Sequence, residues 1–246
     1  MNQAPVTALE TKTANGDTRE RILDAAESLF LDHGFEGTSM RMITAQAEVN
    51  LAAANYHFGS KEALIQEVFR RRLYWLNRER LRALDAMERE AGGAPLKPSQ
   101  IVEAFFGTAL RLAGDTKHGG MRFMRLLGRT YTDPTQFVRT FLAAEYADVV
   151  ERFSAALFRA LPDVPRDEIL WRFHFMLGAM AYALAGTDAL QIIAGKVADD
   201  DPAAIAPRLM SFLLGGLRAP LPEKNVKKNA ARARGAGPRA KGRSAA

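Results

Sequence analysis

Apolar residues recur at intervals of three and four from about residue 18 to residue 217, and nowhere in that span do they alternate cleanly with polar ones. That period turns one stripe of each segment inward on a helix and offers no strand from which to build a sheet. Glycine and proline punctuate the periodic runs, at Gly34, Gly59, Gly92-Gly93-Ala94-Pro95, Gly119-Gly120, Pro134, Pro162 and Pro202. The fold class that follows is all-α, and no repeat of fixed period is visible.

Local signals divide the chain further. A first helix is expected from about Thr18 to His33, capped by Asp17 with Glu20 as the return half of a capping box. Ile22, Ala26, Leu29 and Phe30 form its inward stripe, and Gly34 is placed to end it. Thr38 or Ser39 caps a short second helix to about Ala47, with Met42 and Ile43 inward. Asn50 caps a third, Leu51–Phe58. Gly59 breaks it, and Ser60 caps a long fourth helix that carries Leu64, Val68, Leu73 and Leu76 inward and runs to about Glu90. Further helices are expected at about 99–113, 120–130, 134–161, 167–186 and 203–217. Asp133 followed by Pro134 is a start signal, and Pro207 predicts a kink or a later start in the last helix.

Composition narrows the function. The 246 residues contain no cysteine, which removes disulfides, thiolate metal sites and cysteine nucleophiles and fits a reducing cytoplasm. No basic start followed by an apolar run marks a signal peptide. The stretch Phe173–Thr187, free of charged residues, falls short of the roughly 18–20 apolar residues that span a bilayer, so no membrane role is expected. The histidines His33, His57, His118 and His174 have no paired ligand spacing, and there is no nucleophile elbow or phosphate-binding loop. Neither catalytic residues, nor a metal, nor a cofactor are expected. The net charge of +6 is a property of one end: nine of the 34 basic residues and one of the 28 acidic residues lie in 218–246, leaving 25 basic and 27 acidic ones elsewhere. A DNA-binding role, if present, must rest on local geometry rather than on a basic body.

Three short helices in about 40 residues followed by a long one are the outline of a helix-turn-helix head. Ala52, Ala53 and Ala54 keep one face of the third helix slim enough for a major groove roughly 12 Å wide. Asn55 and Tyr56 offer hydrogen-bonding groups beside them, and Lys61 in the first turn of the fourth helix suits a phosphate anchor. The run Val49-Asn50-Leu51-Ala52-Ala53-Ala54-Asn55-Tyr56-His57-Phe58-Gly59-Ser60-Lys61-Glu62-Ala63-Leu64 resembles the recognition-helix signature of the TetR family, as do Ile22-Leu23-Asp24-Ala25-Ala26, Phe30, Gly34-Phe35 and Thr38-Ser39 upstream. The resemblance implies a homodimeric transcriptional repressor that binds palindromic double-stranded operator DNA and is released by a small molecule. It also implies DNA contacts at Ser39, Arg41, Leu51, Ala52, Ala53, Asn55, His57 and Lys61, to which Tyr56 is added on its chemistry. Phe58 and Val49 are expected in the core. Two positions depart from the family pattern. Glu48 stands where glycine is usual in the turn, which predicts a different turn geometry. Asn55 stands where an aromatic is usual, with Tyr56 next to it.

The second half is rich in Phe and Met. Phe105, Phe106, Met121, Met124, Arg125, Phe141, Phe173 and Met176 are the candidates for lining an apolar effector pocket, and ordinary core packing would use the same residues. The string Met121–Pro134, with the recognition-helix residues, resembles the PsrA-like branch of the TetR family, which implies a fatty acid or acyl-CoA effector. Arg122, Arg125 and Arg129 share one helical stripe and suit either a carboxylate or phosphate head group or a solvated face. The helix at 167–186, apolar nearly all round with Leu170, Phe173, Phe175, Met176, Leu177, Met180 and Leu184, is expected with Ile205, Leu209, Phe212, Leu213 and Leu214 to form a four-helix dimer interface. The expected organisation is a disordered arm at 1–17, the head at 18–78 with its helix-turn-helix at 39–58, an effector and dimerisation domain at 79–217, and a disordered basic tail at 218–246. The competing reading of the same residues is a constitutive or architectural DNA-binding protein with no effector.

Overall fold

The computed structural model describes residues 7–115, 119–132, 136–185, 192, 195 and 201–222, and of residues 7–16, Thr132 and Pro202 the backbone alone. Every regular element among them is helical: α1 (Thr7–Gly37), α2 (Met40–Gln46), α3 (Leu51–Phe58), α4 (Lys61–Glu90), α5 (Pro98–Val102), a π-helical turn (Glu103–Gly107), α6 (Thr108–Ala113), α7 (Gly120–Thr132), α8 (Gln136–Ala160), α9 (Arg166–Leu184) and α10 (Pro202–Leu217). The basic tail from Glu223 onward, the Asp133-Pro134 start signal and the segment 186–191 lie outside the described residues.

Local chemistry explains most of the boundaries. The Ser39 hydroxyl accepts from the Met42 amide at 3.2 Å, Asn50 Oδ1 from Ala53 at 2.7 Å, and Ser60 Oγ from Ala63 at 3.1 Å. Each satisfies an amide that the first helical turn cannot. Thr38, the alternative cap for α2, turns the other way and donates to the carbonyls of Leu29 and Gly34 at 3.1 and 2.7 Å. Gly34 breaks α1 with φ 73° and ψ 175°, a conformation that strains any residue with a Cβ. Asp201 caps α10 by accepting from Ala203 at 3.0 Å, and the helix passes through Pro207.

Three expectations are corrected. Residues 7–17, expected as part of a disordered arm, are helical, so Asp17 lies inside α1 and cannot cap it. Its carboxylate faces Arg21, four residues on, at 3.8 Å. The helix expected at 99–113 is not uniform: a π-helical turn inserts an extra residue at Glu103–Gly107. Ala104, Phe105, Phe106, Ala109 and Leu110 are all buried as a result, and this segment is the centre of the C-terminal body. The turn at Glu48 keeps the glycine-like geometry. Glu48 adopts φ 54°, the left-handed conformation, and is the sole non-glycine residue with positive φ among those described. The chain tolerates a local cost of roughly 1–2 kcal/mol here rather than building another turn.

The head packs Ile22, Leu23, Ala26, Leu29 and Phe30 of α1 against Ile43, Ala47, Ala54, Phe58 and Leu64, all buried. The boundary expected at residue 78 falls within α4, a single helix shared by both halves. Its C-terminal part packs on α8, while α7 packs on α9 and α9 on α10. Gly128 allows the α7–α9 approach, since a Cβ there would stand 2.7 Å from the Ala181 carbonyl oxygen. No described helix is long and apolar enough to cross a membrane.

Candidate DNA-binding face and effector core

Helix α3 divides its eight residues between two faces. Ala54 and Phe58 point into the head. Leu51, Ala52, Asn55 and Tyr56, spaced to share the opposite face, are exposed, with Ala53 and His57 half-buried at its margins. Tyr56 is 79% exposed and touches the His57 ring edge-on, with centroids 5.3 Å apart. An aromatic held this far out on a short helix has little to gain from folding, and its hydroxyl and ring are free to meet a partner. Arg41 is exposed on α2. Ser39 is exposed too, with its hydroxyl occupied by the cap. The turn between α2 and α3 is closed by the Val49 amide donating to the Thr44 carbonyl at 3.0 Å. Val49 is half-buried against the core, as expected.

Lys61 is placed differently from a phosphate anchor. Its ammonium donates to the carbonyls of Phe35 at 2.9 Å and Thr38 at 3.0 Å, and it stands 4.1 Å from the Phe35 ring centroid. Two of its three donors are thus spent on the α1–α2 junction, where the carbonyl end of α1 attracts a cation. The geometry makes Lys61 a clamp between α4 and the end of α1, and that interaction cannot be seen in spacing because its partners are backbone oxygens 23 and 26 residues away.

Charge ties α1 to α4, and arginines of α7 tie it to the body. Arg71 on α4 donates to Glu20 at 3.0 Å, Asp24 at 2.8 Å and Glu27 at 2.6 Å, and Arg72 pairs with Glu27 at 3.0 Å. Burial lowers the Arg71 pKa, but the bonds to Asp24 and Glu20 and the charge of Glu27 outweigh it and hold it above its usual value. Arg19 pairs with Glu67 at 2.5 Å and covers the Phe58 ring at 5.4 Å. From α7, Arg122 donates to the Ser28 hydroxyl at 2.7 Å and Arg129 to the Leu31 carbonyl at 2.6 Å. Two of the three arginines expected on a head-group stripe therefore grip α1, and the stripe is a link between body and head.

The candidate effector residues converge, but as core. Phe105 lies within 4.8–5.1 Å, centroid to centroid, of Phe106, Phe153 and Phe173. Met124, Phe141 and Met176 are buried, and Met121 and Arg125 are half-buried on α7. None of the eight lines any of the three cavities described, which hold about 330–360 Å³ each. One of these lies at the head–body junction, between Phe35, Ile65, Leu126 and Val138. Sequence reasoning missed Arg80, which is 1% exposed in this core. Its Nε donates to the Phe105 carbonyl at 3.0 Å, and its guanidinium stacks 3.8 Å from the Phe105 centroid. An arginine on a long amphipathic helix reads as a surface residue unless its phase is tracked, and Arg80 falls in register with Leu73, Leu76 and Leu84, all fully buried.

The surface of α9 carries a second arrangement. Ile169, Met176, Met180 and Leu184 are buried, whereas Leu170, Trp171, Phe175 and Tyr182 are exposed along the opposite face. The Trp171 and Phe175 rings stack at 5.7 Å. On α10, Phe212 is 69% exposed, and Gly215 and Gly216 are exposed too. Trp171 and Tyr182 were not among the residues expected at an interface.

Comparison with known proteins bears on both halves. A family model described as "Bacterial regulatory proteins, tetR family" matches residues 22–68, and one described as "Tetracyclin repressor-like, C-terminal domain" matches residues 103–216. The HTH-type transcriptional regulator UidR of Escherichia coli (strain K12) is 43% identical over 51 residues, 21% of this chain and 26% of UidR. The HTH-type transcriptional repressor KstR2 of Mycolicibacterium smegmatis is 33% identical over 69 residues, 28% of this chain and 34% of KstR2. The chain thus aligns with only a quarter to a third of these relatives' length. Among solved structures, the probable transcriptional regulatory protein RHA5900 is similar with a TM-score of 0.53 at 21% identity, covering 82% of this chain and 100% of that one. The fatty acid degradation regulator FadR of Bacillus halodurans is similar with a TM-score of 0.54 at 14% identity, covering 89% and 100%. At these identities the structures speak to the fold alone. With one family model on each half and a helix-turn-helix head on an all-helical body, the chain belongs to the TetR family of DNA-binding transcriptional regulators and is not an enzyme.

Proposed function

We propose that this regulator is a cytoplasmic repressor that binds a palindromic operator as a homodimer and leaves it when an apolar small molecule enters the C-terminal body. The observation that carries the DNA half is the exposed face of α3, where Asn55 and Tyr56 stand outward beside small alanines. Asn55 suits a bidentate contact to adenine, and Tyr56 a base edge or phosphate. Ala52, Ala53, Leu51 and His57 complete the contact surface, with Ser39 and Arg41 toward the backbone. The exposed aromatic face of α9, where Trp171 stacks on Phe175, and the exposed Phe212 on α10 support the homodimer, since exposed apolar patches mark association surfaces.

Release would run through the contacts from α7 and α4 to α1. A ligand that favours a different position of α7 would pull on Ser28 and Leu31 through Arg122 and Arg129, and change the spacing of the two heads. KstR2 is itself described as a repressor, FadR of B. halodurans as a regulator of fatty acid degradation, and SmeT, of similar fold, has been solved with triclosan. An acyl effector, a fatty acid or its CoA ester, is the first to try. One observation favours the rival reading of an effector-free DNA binder: Phe105, Phe106 and Phe173 pack on one another. Fluorescence anisotropy on a duplex from upstream of the gene, titrated with protein and then with acyl ligand, separates the two. Tight binding reversed by ligand supports the proposal, and tight binding indifferent to an effector screen supports the rival.

A further inference from the structure

Arg80 is a cation in the wrong solvent. It is 1% exposed, lies among fully buried phenylalanines, and has no carboxylate partner among the described residues. Its charge is met by the Phe105 carbonyl at 3.0 Å, by Asn77 Oδ1 at 3.4 Å, and by the ring faces of Phe105 and Tyr146 at 3.8 and 5.9 Å. Those contacts engage Nε and Nη1. A guanidinium carries a full charge and five donors, and burying it with no carboxylate beside it is costly.

A second, independent observation lies beside it. The Tyr146 hydroxyl is fully buried and has no hydrogen-bond partner among the described residues. A buried phenol with no partner at hydrogen-bond distance can be replaced by phenylalanine at no loss of packing, so its oxygen, with the Tyr131 phenol as a neighbour, is little used by the fold. The Tyr131 ring stands 6.3 Å from that of Tyr146, and Tyr131 is half-buried, so the group reaches the surface on that side. Burial pushes the Tyr131 pKa well above its usual value, the Tyr146 phenol beside it adds to the effect, and the positive charge of Arg80 opposes it. The Tyr131 phenol therefore stays protonated, as a donor, at neutral pH.

A buried guanidinium with no carboxylate beside it and the unpartnered Tyr146 hydroxyl, with the Tyr131 phenol next to it, are complementary to an anion, and the Phe105, Phe106 and Phe173 rings that adjoin them are complementary to an apolar body. We propose that Arg80, Tyr131 and Tyr146 form the polar end of an effector site that takes an organic monocarboxylate with an apolar tail. The inference deepens the effector half of the proposed function and rests on it. Charge-assisted hydrogen bonds to the carboxylate replace the weak carbonyl and ring contacts of Arg80. Because Arg80 sits on α4, the helix shared with the head, drawing it toward an anion bears directly on the element that positions α1 and α3.

The test is a thermal shift and anisotropy titration of the full chain with dodecanoate, and with 1-dodecanol as a tail of equal length and no charge. Dodecanoate is expected to raise Tm and release the operator duplex, and the alcohol to do neither at equal concentration. Tyr146→Phe is expected to leave the ligand-free Tm unchanged or higher while weakening dodecanoate by about tenfold, since a hydrogen bond to a charged group is lost. Arg80→Gln is expected to abolish the response; should that variant not fold, Tyr146→Phe and Tyr131→Phe carry the test. Equal shifts from acid and alcohol, an unchanged dodecanoate affinity in Tyr146→Phe, or no response of the wild type to dodecanoate would each overturn the assignment. Operator binding without ligand is measured in the same cell, so failure here is distinguishable from failure of the DNA-binding reading.

Discussion

The head and the body solve opposite problems. On its candidate DNA side the head is organised by contacts close in sequence: Ser39, Asn50 and Ser60 each cap a helix three residues ahead, and the outward face of α3 is what remains once Ala54 and Phe58 turn inward. Asn55 and Tyr56 sit on the outside of that face. The body is built from contacts between distant segments, as where Phe105 meets Phe153 and Phe173, and it encloses a cation that its own carboxylates do not neutralise. A region organised by local capping keeps its surface available for a fixed partner, DNA. A region organised by long-range packing around a buried charge keeps a reserve of unsatisfied interaction for a partner that arrives later.

The largest expected effect breaks the body alone. Phe105→Ala removes the ring at the centre of the aromatic cluster and is expected to cost about 3–5 kcal/mol in urea unfolding. Folded protein at low temperature should keep its operator sequence preference, because no head residue is touched. Tyr56→Ala is the converse. It should leave stability within about 0.5 kcal/mol, as for most exposed sites, and lower discrimination between operator and scrambled duplex by roughly 1–3 kcal/mol in anisotropy titrations. If the two variants fail in the same assay, head and body are not separable in this way.

A third substitution sharpens the comparison where the halves join. Lys61→Met loses two bonds to the carbonyls of Phe35 and Thr38 and should destabilise the head by about 1–3 kcal/mol, seen as a lower Tm. The slope of log affinity against log salt should stay unchanged, whereas loss of a phosphate contact would lower it by about 0.9. The smallest effect is a gain. Glu48→Gly relieves the left-handed backbone at φ 54° and is expected to raise the unfolding midpoint by up to about 1 kcal/mol, offset in part by the extra freedom of glycine when unfolded.

These contrasts also explain what the sequence could convey. The bounds of α3 and α4 are legible because Asn50, Gly59 and Ser60 act within one turn of where they stand. The inward stripe of α4 is legible from its period. The extension of α1 to Thr7 is not, because residues 7–17 contain three Thr, Asn15, Gly16 and Asp17, which favour helix poorly, and offer no apolar stripe to mark it. The π-helical turn at Glu103–Gly107 is not, because its register shift answers to neighbours on α4 and α10. Spacing suggested a phosphate anchor for Lys61 and either a head group or solvent for Arg122, whereas Lys61 meets the carbonyls of Phe35 and Thr38 and Arg122 a serine far along the chain. On α9, apolar residues all round suggested burial on every side; the described chain buries Met176 and Met180 and leaves Trp171 and Phe175 outward, the pattern expected if the proposed homodimer covers them.

The central claim is that the outward face of α3 reads DNA sequence. The most direct measurement is anisotropy of wild type and Tyr56→Ala on two duplexes, one from upstream of the gene and one of the same composition scrambled, at a single physiological salt concentration. The account predicts that wild type prefers the first by at least about 10³-fold, and that Tyr56→Ala loses at least a tenfold share of that preference while folding normally. Equal affinity of the wild type for both duplexes, or a preference that Tyr56→Ala leaves intact, would contradict it.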